Sequence, residues 1–241
     1  MHDIKSQPVY DKSLFPFVVG IFGTYTDGNN KLVREFRCGG TFISTRHILT
    51  ASHCFFSDGT NSNTRTFYDT MEVLVNSVQV AAVGEEQKFI EIAQAIGNPD
   101  FNGINFDHDC TVLLLARPAT EVFNVQPVRL AWDKKEIADE ELKNAYDENE
   151  MCYVVGYGVD ASGFLTEYLN NASVPIVSEQ TCESRDAYPG WPYGNPISSS
   201  MMVSNIINTT LTHTFKSFYL LVQNYLTYLF NTVCGLQNRW H

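Results

Sequence analysis

The six cysteines, at 38, 54, 110, 152, 182 and 234, form no CxxC or other zinc-type spacing, which excludes the common structural metal sites. Basic residues are scarce: Lys plus Arg minus Asp plus Glu is 16 − 27 = −11. That balance speaks against nucleic acid and against anionic membrane surfaces as partners. There is no low-complexity tract. Long apolar runs are also missing: Phe215 to Phe230 is too short for a membrane span and is interrupted by Lys216, Gln223 and Asn224, so a membrane anchor is not expected. The opening Met1-His-Asp-Ile-Lys-Ser-Gln-Pro8 is polar and lacks the apolar core of an export signal. Wide, scattered cysteines nevertheless suit disulfides and an oxidising compartment. Two sequons, Asn171-Ala-Ser173 and Asn208-Thr-Thr210, are compatible with secretion. The expectation is a secreted-type domain whose chain starts late.

Helical periodicity is nearly absent from the first hundred residues. Phe15 to Gly23, Met71 to Val80 and Lys88 to Ile96 carry partial alternation and predict strands. Asp27-Gly-Asn-Asn30 and Asn98-Pro-Asp-Phe-Asn102 read as turns, and Ser57 to Thr66 as a surface loop. Short strands between Gly, Asn, Asp and Pro clusters argue for an all-β barrel or sandwich. Asp133 to Glu150 holds eight acidic residues and three Lys, the composition of a solvated linker.

Two stretches carry chemistry. In Leu49-Thr-Ala-Ser-His53-Cys54 an apolar run delivers a histidine followed at once by a cysteine, with Cys38 sixteen residues upstream. A general base must be held at a fixed angle to its nucleophile, and a cross-link beside it is one way to do so. In Phe106-Asp-His-Asp109-Cys-Thr-Val-Leu-Leu-Leu115 a carboxylate stands at the entry to a continuous apolar strand. Buried there it needs a partner, and an imidazole N–H suits it. Asp107 shares its face if the chain is extended, but lacks the apolar run directly after it. Cys110 is expected to be a buried free thiol.

The segment CGGTFISTRHILTASHC, residues 38–54, resembles the histidine segment of the trypsin/chymotrypsin-like (S1) serine proteases. Asp109 to Leu115 resembles the family's Asp-Ile-Ala-Leu-Leu. FPFVVGIFG resembles its first strand, Asn98 to Asn102 its His-Pro-x-Tyr/Phe-Asn turn, and Met151-Cys-Tyr-Val-Val-Gly-Tyr-Gly158 the opening of its second barrel. Val174-Pro-Ile-Val-Ser178 through Cys182 is similar to the strand that follows, and Pro196 to Met202 to the approach to a third. The resemblance implies two antiparallel β-barrels, with a complete first barrel at 15–131 after an N-terminal segment 1–14. An acidic linker at 132–150 would join it to about half of a second barrel at 151–202. It implies His53 as general base, Asp109 as the acid that orients it, and a Cys38–Cys54 disulfide. Counting back from Pro16, it points to Ile4 as the activation terminus. The implied protein is an extracellular, monomeric endopeptidase acting on polypeptides, with no cofactor and no metal.

At Val203 the resemblance stops, and no Gly-Asp-Ser-Gly-Gly-Pro occurs in the 241 residues. That segment would supply the nucleophile, the oxyanion amides and the specificity pocket. Ser198, Ser199 and Ser200 lack the flanking glycines and precede the Met201-Met202 strand, so they are rejected as the nucleophile. The expectation is a truncated, inactive chain with a non-homologous tail at 203–241, of the kind intron read-through would produce. Cys152, Cys182 and Cys234, like Cys110, have no evident mate. A half barrel would expose an open strand edge and an apolar face. The alternative is a non-catalytic homologue that binds partners through its surface loops.

Overall fold

The computed structural model describes residues 6–56, 70–80, 88–104, 107–128, 151–157, 165–175, 219–222 and 226–229. For 151–152, 174–175, 219–222 and 226–229 only the backbone is described. Among the described residues the chain is all β with two single 3₁₀ turns, and no helix is long and apolar enough to cross a membrane. Ile4, the 57–66 loop, the acidic segment 133–150 and the 196–202 stretch lie outside them.

In chain order the strands are β1 (Gln7–Pro8), β2 (Val18–Thr26), β3 (Leu32–Phe42), β4 (His47–Thr50), β5 (Thr70–Val75) and β6 (Lys88–Gly97). Then come β7 (Thr111–Leu115), β8 (Met151–Gly156), β9 (Asn170–Pro175), β10 (Tyr219–Val222) and β11 (Leu226–Leu229). Six of them close into an antiparallel barrel in the order β2-β3-β4-β7-β6-β5, with β5 returning to β2. The other five form an open sheet, β1-β9-β8-β10-β11.

Successive residues of a strand face opposite sides, so a strand covered on both faces must be apolar throughout. β2 is such a strand. Val19 and Ile21 point into the barrel with Phe42, Ile48, Val73, Ile90, Leu113 and Leu115. Val18 and Phe22 point outward and pack with Phe36, Leu74, Val155, Tyr157 and Leu169. Between Ile21 and Phe22 the register with β3 shifts, so that Ile21 faces Cys38 while Phe22 faces Phe36. The bulge inserts Arg37 as an extra residue. Cys38 can therefore enter the barrel core while Phe36, of the same parity, joins the outer cluster. Gly40 is needed for close approach: a Cβ there would lie 2.6 Å from Ile48 Cγ2 and 2.9 Å from Val19 Cγ2.

The second sheet leans on the outside of this barrel. Tyr157 is buried, its ring edge-on to Phe36 at 5.8 Å, and its hydroxyl donates to Ser77 O at 2.6 Å. Burial drives its phenol pKa well above the ordinary value. The Leu169 N–H donates to Val78 O at 2.6 Å, and Val80 N–H to Glu167 O at 3.0 Å. The N-terminal segment crosses to the same side: β1 pairs with β9, Val9 N–H donates to Leu169 O at 2.7 Å, and Val9 itself is 2 % exposed.

Several boundaries differ from the sequence expectation. The strand expected at Phe15 to Gly23, here β2, begins at Val18 because residues 12–17 form turns and bends, with Asp11 Oδ1 accepting from Ser13 N–H. The strand expected to run to Val80 ends at Val75, where Asn76 turns left-handed with φ 54°. The second sheet stays open at its β1 and β11 edges, but the side of β8 away from β9 is paired. Residues 219–222 of the tail segment pair with it antiparallel, Leu220 opposite Val154, and β11 extends the sheet.

Candidate active site

β3 and β4 are joined by a short hairpin in which Ile43 N–H donates to His47 O. β4 runs into a 3₁₀ turn, Ser52–Cys54, that carries His53. Three buried hydroxyls anchor this junction. Thr50 Oγ1 donates to Gly39 O at 2.8 Å, Ser52 Oγ donates to Cys110 O at 2.7 Å, and Ser52 Oγ lies 2.8 Å from Thr111 Oγ1. Thr50 also pairs across the ladder with Thr111. The turn is thus tied to both neighbours of β4, and Cys54 is bonded to Cys38 of β3. His53 is held from three directions before its own side chain makes any contact.

Asp109 lies immediately before β7, one step from the Cys110 carbonyl that Ser52 uses. Its carboxylate accepts twice from one residue: His53 N–H donates to Oδ1 at 2.8 Å, and His53 Nδ1 lies 2.7 Å from Oδ2. The Asp109 side chain is 3 % exposed and that of His53 11 %. A carboxylate so removed from water is stabilised by the donors it gains. An ionised carboxylate only accepts, so the Nδ1 proton belongs to the imidazole and Nε2 is the basic nitrogen. The pair fixes both the tautomer and the ring orientation.

The two carboxylates of the segment go different ways. His108, between them, has φ 56°, which breaks the extended geometry that would have placed Asp107 and Asp109 on one face. Asp107 turns back on its neighbour instead, Oδ1 accepting from His108 N–H at 3.0 Å, and bridges Asn102. Cys110 is a free thiol, half-buried. Burial pushes its pKa up, and the adjacent Asp109 charge adds to the effect. Cys182, Cys234 and Ser198 to Ser200 lie outside the described residues, and of Cys152 only the backbone is described.

Sequence reasoning missed the hydroxyl anchors. Thr50, Ser52 and Thr111 flank the histidine and the carboxylate segments, and three small hydroxyl residues inside otherwise apolar strand ends are the signal that could have found them. It also missed the seat of Phe56, whose ring packs so closely on Gly97 that a Cβ there would lie 2.5 Å from Phe56 Cε2.

A family model described as Trypsin matches residues 4–208, most of the chain. The chain belongs to the trypsin family of S1 serine proteases. Granzyme C of Mus musculus is 29 % identical over 150 residues, covering 61 % of this chain and 52 % of that protein. Trypsin of Sus scrofa is 26 % identical over 162 residues, covering 66 % of this chain and 59 % of that protein. The structure of neuropsin, a serine protease expressed in the limbic system of mouse brain, superposes with a TM-score of 0.62 at 21 % identity. That superposition covers 92 % of this chain and 83 % of neuropsin, and shows the shared fold. The chain thus spans little more than half the length of the granzyme and trypsin relatives it matches.

Proposed function

We propose that this trypsin-family chain carries the base half of a serine endopeptidase site, with His53 as general base and Asp109 as the acid that orients it. The observation that carries this reading is the two-point grip of Asp109 on His53 through Oδ1 and Oδ2. In such a site the serine hydroxyl loses its proton to His53 Nε2 as it attacks the peptide carbonyl. The imidazolium formed is stabilised by Asp109, and its proton passes to the leaving amine. The polypeptide is the substrate, and the Cys38–Cys54 bond suits an extracellular protein.

The 241 residues contain no Gly-Asp-Ser-Gly-Gly-Pro, so the reading continues that this chain, by itself, hydrolyses no peptide. Losing the nucleophile and the oxyanion amides together removes almost all of the rate enhancement. A fluorophosphonate probe, which reacts only with an activated serine, is the test. A longer natural product containing these residues is expected to label and the 241-residue chain is not. Labelling of the 241-residue chain would place a nucleophile where none has been assigned. Absence of labelling from every natural form would favour a non-catalytic homologue that binds polypeptides through its loops.

A further inference from the structure

His53 does not face Asp109 alone. Its Nε2 lies 3.8 Å from Cys54 Sγ, and one ligand atom from each of Cys38, His53 and Cys54 fits within 4.8 Å. While the two sulfurs are bonded to each other they are poor metal donors. We propose that reduction of the Cys38–Cys54 disulfide turns this cluster into a zinc site. The ligands would be the thiolates of Cys38 and Cys54 and Nε2 of His53, with water in the fourth position.

The chemistry of the donor set supports this. Two thiolates and one imidazole are a standard zinc set, at about 2.3 Å for Zn–S and about 2.0–2.1 Å for Zn–N. Around a tetrahedral ion those bond lengths separate sulfur from nitrogen by about 3.6 Å, close to the 3.8 Å between Cys54 Sγ and His53 Nε2. Asp109 supplies the remaining part. A zinc-bound histidine almost always gives its other ring N–H to a carboxylate, which fixes the tautomer and raises the basicity of the ligating nitrogen. Asp109 Oδ2 stands 2.7 Å from Nδ1, so the arrangement that would prepare His53 as a base also prepares it as a ligand. Both sulfurs hang from held backbone, Cys38 in β3 and Cys54 in the turn anchored by Ser52, and reduction frees the two side chains to part to the roughly 3.8 Å that tetrahedral zinc sets between thiolates.

The step balances with a small dithiol as reductant. The dithiol gives two electrons to the S–S bond and becomes a disulfide, and Cys38 and Cys54 take up one proton each. Zinc then displaces those two protons into water as two Zn–S bonds form. With Nε2 bound to the ion, His53 can no longer accept a proton.

The inference rests on the geometry of the cluster and not on catalysis, so its test needs no serine and can fail while the peptidase reading stands. The folded 241-residue chain is reduced anaerobically with dithiothreitol, with thiol titration to completion, and the reductant is removed by gel filtration. It is then titrated with Co²⁺, and with Zn²⁺ in competition with a chromophoric chelator. The expected result is the sulfur-to-cobalt charge transfer and intense visible bands of a tetrahedral thiolate site, displaced by Zn²⁺ and absent before reduction. His53→Ala and Asp109→Asn are each checked for native circular dichroism: Asp109→Asn should weaken zinc by about 10–100-fold, His53→Ala, which removes a ligand, by more, and Cys110→Ser should leave it unchanged. Equal zinc affinity in the oxidised chain would overturn the proposal. So would affinity indifferent to both His53→Ala and Asp109→Asn, since the metal would then sit on other thiols.

Discussion

The barrel and the second sheet are held together by different means. In the barrel every strand has a partner on both sides, the core side chains come from the barrel's own strands and the turns beside them, and a covalent bond ties β3 to the turn after β4. The second sheet is open; Val155 of β8, with Tyr157 and Leu169 beside the sheet, packs against the outer faces of β2, β3 and β5, while Val154 and Ala172 are buried outside that cluster. The barrel's core is closed within itself, whereas one described face of the second sheet is covered by the barrel. The apolar outer face of β2 is the physical record of that contact. Both members of the His53–Asp109 pair stand on the barrel, His53 in the turn after β4 and Asp109 just before β7.

Three substitutions test this contrast. The largest effect is expected from Ile48→Ala, which empties space at the centre of the barrel, where Ile48 has no exposed surface. It should cost about 2–5 kcal/mol, read as a lower denaturant midpoint, and amides of β8 and β9 should lose exchange protection together with those of the barrel. Protection that persists in β8 and β9 after the barrel opens would show that the second sheet stands alone. Next comes the double change Cys38→Ser with Cys54→Ser. The bond closes a loop of sequence separation 16, and its loss should lower barrel stability by about 3 kcal/mol through the freedom regained by the unfolded chain. Equilibrium unfolding of the oxidised protein and the variant measures the difference. The smallest effect is expected from Tyr157→Phe, which removes the donor that Ser77 O now has at 2.6 Å. A buried carbonyl stripped of its partner costs about 1–3 kcal/mol. Here hydrogen exchange should quicken in β8 and β9 and stay unchanged in the barrel. Equal quickening in both would mean that the pin supports the barrel as well.

The strands most legible from the sequence were those with local support. β6 was expected at Lys88 to Ile96 and runs Lys88–Gly97, and β7 coincides with the apolar run after Cys110. Errors fell where a backbone event ended a pattern that the side chains still carried, as at Asn76, whose left-handed turn stops β5 while alternation continues. The N-terminal segment was less legible still. Nothing near Gln7 and Val9 announces a partner, because β9 lies more than 160 residues away in the chain and long-range pairing leaves no local trace. The same holds for residues 219–222, whose pairing with β8 joins stretches more than 60 residues apart in the chain.

The family and the histidine proposed as the base were legible in the sequence alone, because a histidine, its cysteine and its strand are neighbours within 17 residues and their order is itself the signal. The sequence also singled out Asp109 by the apolar strand behind it. How two carboxylates two residues apart are separated was decided in three dimensions: a single positive φ at His108 turns Asp107 back on its neighbour and leaves Asp109 with both oxygens on His53. So was the grouping of Cys38, His53 and Cys54 around one point. A bulge that adds one residue to β3 aims Cys38 inward, and no count of residues along the chain reveals where a strand will carry an extra one.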